Sequence, residues 1–267
     1  MNAFEYATTF NEALKNEGQP LRFNQEELEA YRTGEAGTNY YPLTIRNKSM
    51  QTQQNINISG GSDAVKYFFS GGLTRQEGMF EAINYRAYSL RSNVDARINK
   101  NLTISGDFDV SSRAFNNSGY TAEQIFGEVI ASSPDKNLYN PDGSLNYQAS
   151  FPSEYAKSGY GKDRVNVLQT TLTLKQDLPF LNGLSLSGRG SFGKEYTNSK
   201  NYRVPIVTYR GSFAGDKVYC CAGPDNKPRL ERGFSEYNSL QYNVSLNFNR
   251  TFYKHEVSAL ALWEQFQ

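Results

Sequence analysis

The chain has 267 residues, with 28 Lys+Arg against 27 Asp+Glu for a net charge of +1, and 14% of it is aromatic, including 19 Tyr and 17 Phe. That balance gives no reason to expect a nucleic-acid partner, and one histidine with two adjacent cysteines, Cys220 and Cys221, supports neither a metal cluster nor a disulfide framework. A mean hydropathy of -0.65 suits a polar soluble protein, and it equally suits a transmembrane barrel, in which half of every strand and all loops are polar.

The opening MNAFEYATTFNEALKNEG has no basic n-region, uninterrupted apolar core or small-residue cleavage site, so it is not a signal peptide. No apolar run is long enough for a transmembrane helix. Residues 1–50 read as a helical and loop lead-in. Phe4 to Glu17 has helical spacing, Asn24 is placed to cap a short helix holding Leu28 and Tyr31 and ending near Gly34, and Gly34 to Pro42 reads as loop.

From residue 51 the rhythm changes to period two. Strands are expected at Gln53–Ser59, Ala64–Arg75, Tyr85–Ile98 and Leu102–Arg113, with Gly60-Gly61-Ser62-Asp63 and Asn99-Lys100-Asn101 as tight turns. Gly60 and Gly61 permit positive φ, and Asp63 is placed to accept backbone N–H bonds. An excursion over about 114–163 follows, holding a helix at Ala122–Ala131 that Thr121 caps. Arg164–Asp177 and Leu184–Tyr196 are the next strands. A second excursion, about 197–236, carries both cysteines. Tyr237–Thr251 and Glu256–Phe266 complete a series of eight, with His255 in the turn between them.

The alternation is regular. Leu102, Ile104, Phe108 and Val110 share one face and Thr103, Ser105, Asp107 and Asp109 the other; Leu240, Tyr242, Val244, Leu246 and Phe248 oppose Gln241, Asn243, Ser245 and Asn247. Ordinary strands run about five or six residues, whereas strands that cross a bilayer at a tilt need roughly nine to eleven. Short connections alternating with long ones also match a barrel with short periplasmic turns and long outer loops. The fold class expected is therefore all-β: an antiparallel transmembrane β-barrel fragment of about eight strands over 51–267, preceded by short N-terminal helices. The sequence stops in mid-strand and its first strand has no clean beginning, so closure is not expected.

Within this frame Asn57 to Ser111 resembles the barrel of the SusC/RagA-like TonB-dependent outer-membrane transporters. The elements that carry the likeness are Ser59-Gly60-Gly61-Ser62, Lys66-Tyr67-Phe68, Gln76-Glu77-Gly78, Tyr85-Arg86 and Leu90-Arg91, in order; the opening NAFEYATTFNEALKNEG and FNQEELEAYRTG look like the segment placed early in that barrel region. Tyr41-Pro42-Leu43-Thr44 stands where the family commonly has an Asp-Trp pair. No signal peptide, TonB-box or plug is legible, so an internal barrel fragment is expected. The resemblance implies residence in the outer membrane, import of an oligosaccharide or peptide ligand, a SusD-like surface lipoprotein as lid, the TonB system as energy source, and outer-membrane lipid around the wall.

Loop aromatics Tyr139, Tyr147, Phe151, Tyr155 and Tyr160 are the candidates for stacking on a bound ligand, with Asp142, Asp163, Asp216 and Asp225 as hydroxyl acceptors. The competing role for these rings is packing the loops on one another. A soluble β-sandwich carbohydrate-binding module is the alternative; it accounts for the alternation but not for the strand lengths. Asp107 and Asp109 sit on one face as an acid/base pair might, yet no nucleophile motif accompanies them, and no catalytic or metal residue is assigned.

Overall fold

A computed structural model of the chain describes residues 1–210, 218–220 and 227–267. Three helices come first: α1 Ala3–Asn16, α2 Gln25–Thr33 and α3 Tyr40–Thr44. They lead into β1 Gln51–Gly61, β2 Val65–Glu77, β3 Asn84–Arg97 and β4 Leu102–Asn117. Two helices, α4 Ala122–Ala131 and α5 Pro152–Lys157, lie between β4 and β5 Tyr160–Asp177. Then come β6 Leu184–Arg203, the short pair β7 Thr208–Arg210 and β8 Val218–Cys220, β9 Arg229–Phe252 and β10 His255–Phe266. Eight strands form one antiparallel meander in the order β1-β2-β3-β4-β5-β6-β9-β10, and β7 with β8 forms a separate ribbon. β1 and β10 end the order without pairing to each other, so the sheet is open.

Register fixes the two faces, because directly opposed residues in an antiparallel ladder point the same way. One transverse row runs Ile58–Phe69–Ser92–Phe108–Thr170–Phe192–Leu240, and the row offset by one residue runs Asp107–Thr171–Ser191–Gln241 with Asn93 ahead of it. The first surface is oily and the second wet across the central strands, while Phe68 on β2 and Leu260 and Leu262 on β10 put apolar side chains on the second face near the sheet's edges. On the wet face Arg91 pairs with Asp109 at 2.7 Å, Asn93 donates to Asp107, and the hydroxyls of Thr171 and Ser191 lie 2.9 Å apart. Each of the two carboxylates once weighed as an acid/base pair is thus held by a neighbouring strand.

Among the described residues nothing covers the oily face. The buried apolar residues among those described are Ala3, Ala7, Phe23, Tyr40, Ile45, Phe80, Ile125, Leu138, Ala149 and Ala156, and none lies in a strand. Ile56 is 67% exposed, Leu172 52% and Trp263 55%. A soluble sandwich stacks its inner rows against a second sheet about 10 Å away; no second sheet opposes these rows, so the sandwich alternative fails on this point. The oily rows are the lipid surface of a transmembrane barrel wall.

The strands exceed the expected bounds. β6 has 20 residues and β9 24, where a tilted crossing of the apolar belt needs about ten. The belt on β9 runs from Leu240 to Phe248, so Arg229–Ser239 stands outside it. The excursions are correspondingly shorter than expected: β4 continues to Asn117, β5 begins at Tyr160, β6 continues to Arg203 and β9 begins at Arg229. Three local expectations also change. Gly34–Pro42 is not all loop, since α3 begins at Tyr40. The first hairpin uses Gly61 at φ 152° without positive φ at Gly60, and it is Ser62 Oγ, not Asp63, that accepts from the amides of Ala64 and Val65, each at 3.3 Å. His255 belongs to β10, opposite Phe252, and Tyr253 takes the turn with φ 54°.

All long connections and residues 1–50 gather at one end of the sheet, and turns 62–64, 98–101, 178–183 and 253–254 at the other. At the loop end the helices build a compact cap. Capping boxes Asn2/Glu5, Asn24/Glu27 and Thr121/Gln124 start α1, α2 and α4. Buried Asn11 ties α1 to the following turn, donating to the Phe23 carbonyl at 2.7 Å and accepting from the amides of Arg22 and Phe23. Gly37, at φ 84°, lets this segment meet the β4–β5 connection: a Cβ there would lie 2.4 Å from Ala3 Cβ and 2.7 Å from the Pro134 carbonyl oxygen.

Two outcomes follow from this architecture. An open sheet leaves two unpaired edges that hydrocarbon does not tolerate, so the isolated 267-residue chain is expected to aggregate on refolding into lipid vesicles; a monodisperse, protease-resistant species would contradict the fold reading. In the intact protein carrying this chain, Leu172→Arg on the oily face should cost about 2–4 kcal/mol in a urea-unfolding assay in lipid, whereas Gln169→Arg, on the wet face opposite Asp109, should cost less than about 1 kcal/mol.

Candidate functional site

The loop end holds two small hydrophobic centres. Ile45, Phe80, Ile125 and Ala156 form one, drawn from the lead-in, the β2–β3 link and both helices of the β4–β5 connection, with Tyr120 and Tyr155 packed against it. Tyr40, Leu138 and Ala149 form the other, with Leu145 and Phe151 alongside. Backbone bonds join the lead-in to the β4–β5 connection: the Thr38 amide donates to Pro134 O at 2.8 Å, and the Leu138 amide to Thr38 Oγ1 at 2.9 Å.

Asp135 is the charged link of this cap. Its side chain is 1% exposed and meets Lys136 Nζ at 3.1 Å and Arg22 at 3.6 Å, with a further hydrogen bond from Ser133. Burial pushes its carboxyl upward, but the bonds from Ser133 and Lys136 and the charges of Lys136 and Arg22 outweigh it and hold the group below the ordinary aspartate range. Tyr31, whose hydroxyl donates to the Asp135 carbonyl at 3.3 Å, is pushed up by burial and then by the nearby carboxylate.

Beside the cap, the ends of β4, β5 and β6 form a rim on the wet face. Arg203 lies with its guanidinium carbon 4.6 Å from the Tyr120 ring centre, donates to the Gly119 carbonyl at 3.2 Å and reaches Gln124 at 3.4 Å. Tyr120 in turn stands edge-on to Tyr155 at 4.4 Å between ring centres. A recess of about 490 Å³ opens here, lined by Asn117, Tyr120, Glu123, Asp163, Asn201 and Arg203. Asn201 Oδ1 is buried in it without a hydrogen-bond partner. A second recess of about 730 Å³, lined by Tyr120, Arg203, Pro205, Lys227 and Leu230 among others, shares its Tyr120–Arg203 wall. One aromatic face, two carboxylates and an unpaired amide oxygen thus share one open recess.

The five rings expected to stack on ligand are dispersed. Phe151 and Tyr155 pack against the two hydrophobic centres. Tyr139 is 49% exposed and its hydroxyl donates to Glu154 at 3.3 Å; the Tyr147 hydroxyl accepts from Gln148 at 3.1 Å. Tyr160 sits opposite Tyr202 on the outer side of the wall, in the register of the oily rows, with Lys162 and Lys200 within 5.0 and 5.2 Å of its ring centre. Among the acceptors, Asp163 lines the recess, Asp142 holds its own turn by accepting from the Ser144 amide at 2.8 Å, and Asp216 and Asp225 lie outside the described residues, as does Cys221. Tyr120 and Arg203 had no sequence signal beyond following strand ends at long connections.

No family model matches the chain. Two curated proteins of Formosa agariphila are similar to it. One, named TonB-dependent receptor P3, is 24% identical over 252 residues, covering 89% of this chain and 23% of that protein. The other, TonB-dependent receptor P26, is 26% identical over 220 residues, covering 77% of this chain and 20% of that protein. The chain therefore spans less than a quarter of the length of these relatives. Among solved structures, one titled as the RagAB peptide transporter superposes with a TM-score of 0.66 at 19% identity, over 87% of this chain and 26% of that one. Sequence and fold agree with the resemblance carried by Asn57–Ser111: the chain is similar to TonB-dependent receptors, and its fold is that of a piece of outer-membrane β-barrel wall. Both relatives are named as receptors.

The cap's pH response follows from Asp135. A carboxyl held below its unfolded value of about 3.9 contributes stability that is present above that pH and is lost as pH falls through the folded value. Hydrogen exchange of the Thr38 amide, compared between wild type and Asp135→Asn at each pH, should show wild type better protected at pH 7 and the two converging as pH falls through the folded value.

Proposed function

We propose that this chain forms barrel wall and outer loops of an energised importer that takes up an oligosaccharide or a peptide across the outer membrane. The loop end faces outward, as long loops do in such barrels, and the ligand is captured at the recess between the Tyr120–Arg203 wall and Asp163 before passing along the wet face. The reaction is binding and passage, with no bond made or broken. A SusD-like lipoprotein covers the loop end, and the TonB system acts on the whole receptor, of which this chain is one part.

The observation that supports this reading most is the two-sided meander: oily rows with no protein layer against them, backed by a wet face whose far end carries the recess. Tyr139 and Tyr147 extend the ligand surface over the cap. Phe151 and Tyr155 support it from beneath by packing, and Tyr160 faces outward, away from the passage.

The test is ligand binding by the intact receptor, using calorimetry with panels of oligosaccharides and of short peptides. Arg203→Gln and Tyr120→Ala are each expected to weaken binding of the preferred ligand about tenfold, the loss of about 1.4 kcal/mol that one polar or stacking contact supplies. Tyr160→Ala should leave it unchanged. Unaltered affinity in both rim variants, with the barrel intact, would remove the recess from the reading.

A further inference from the structure

We infer that the outer side of the wall, just beyond its oily belt at the loop end, binds the phosphate groups of a phosphorylated glycolipid in the outer leaflet. This rests on the barrel-wall reading above. Two adjacent transverse rows carry the evidence. In the first, Arg75 stands directly opposite Arg86, and the row continues through Ala114 to Arg164. In the second, Lys162 stands directly opposite Lys200, which stands directly opposite Arg232. All six cations point to the side that carries the oily rows.

Like charges placed directly opposite on neighbouring strands destabilise a sheet unless something neutralises them. Among the described residues the only carboxylate in these two rows is Glu77. It is already shared by Arg46 at 3.3 Å and Arg75 at 3.8 Å. No carboxylate of the described residues pairs with Arg86, Arg164, Lys162, Lys200 or Arg232. The described residues supply no counter-charge for these five cations, a place that an external anion fills. The opposite edge of the belt shows no such demand: the oily face carries one strand cation there, Arg250, which lies 4.8 Å from the Phe252 ring centre.

The slope of the band selects the anion. Arg75 follows Leu73, the last oily residue on β2, by a single side-chain step, whereas Lys200 and Arg232 stand several steps beyond Phe192 and Leu240, where the continuous belt ends, with only the ring pair Tyr196–Phe234 between. A glycerophospholipid has its phosphate at one depth and reaches only the near end. A lipid whose phosphates continue into a saccharide headgroup reaches both rows. Tyr160, flanked by Lys162 and Lys200, adds a ring face on which a sugar can rest.

The experiment uses the intact receptor purified in detergent, with lipopolysaccharide bearing a phosphorylated inner core and the same material after enzymatic dephosphorylation. Wild type is expected to bind the phosphorylated form at least about tenfold more tightly, with the preference shrinking as salt rises. Lys162→Gln/Lys200→Gln/Arg232→Gln together, and Arg75→Gln/Arg86→Gln separately, should each reduce that preference several-fold. Lys175→Gln, on the wet face, should not. Equal binding of both forms, retention of the preference in both multiple variants, or equal competition by inorganic phosphate would overturn the inference. A heat-shifted band on a denaturing gel separates the two levels: its presence with no phosphate preference sinks the lipid site alone, and its absence in wild type sinks the wall reading with it.

Discussion

The constraint on which this structure depends is that a backbone amide in hydrocarbon must find its partner within the protein. An antiparallel ladder satisfies that demand strand by strand, and the unbroken register across all eight strands from β1 to β10 is its direct expression. Once the ladder is in place the side chains are sorted by parity alone. Every other residue meets acyl chains and must be apolar; the residues between meet water and polar partners. The low mean hydropathy and the abundance of large apolar residues on the surface are then two aspects of one arrangement.

The same sorting explains what could be read from sequence. Within the belt the alternation is strict, so Leu102–Val110, Leu184–Phe192 and Leu240–Phe248 were legible as strands together with their faces. Outside the belt a strand has water on both sides and loses its pattern. Arg229–Glu236 and Thr197–Arg203 therefore read as loop although the ladder continues through them. Helices with a capping box, such as Ala122–Ala131, were found with both ends correct. The short α3 and α5 were missed because a five- or six-residue helix has too few turns to show a period.

The rim was the least legible part. Tyr120 and Arg203 lie far apart in the chain and meet only because β4, β5 and β6 end together, with the Ser158 hydroxyl and the Tyr120 hydroxyl both donating to the Val204 carbonyl. No local pattern encodes that convergence. Ring content in a connection marks it as more than a tether, yet it does not distinguish a ring that packs, such as Phe151, from one that stays open, such as Tyr139.

The confinement of the buried apolar residues to the loop end has a consequence for how such a chain can vary. A wall position need only belong to the right polarity class, because lipid conforms to any apolar shape. A cap position such as Phe80 or Gly37 must match the volume and the backbone angle of particular neighbours. Drift is therefore cheap in the wall and costly in the cap. Remodelling what the outer surface recognises requires exchanging cap segments as co-adapted sets, not residue by residue.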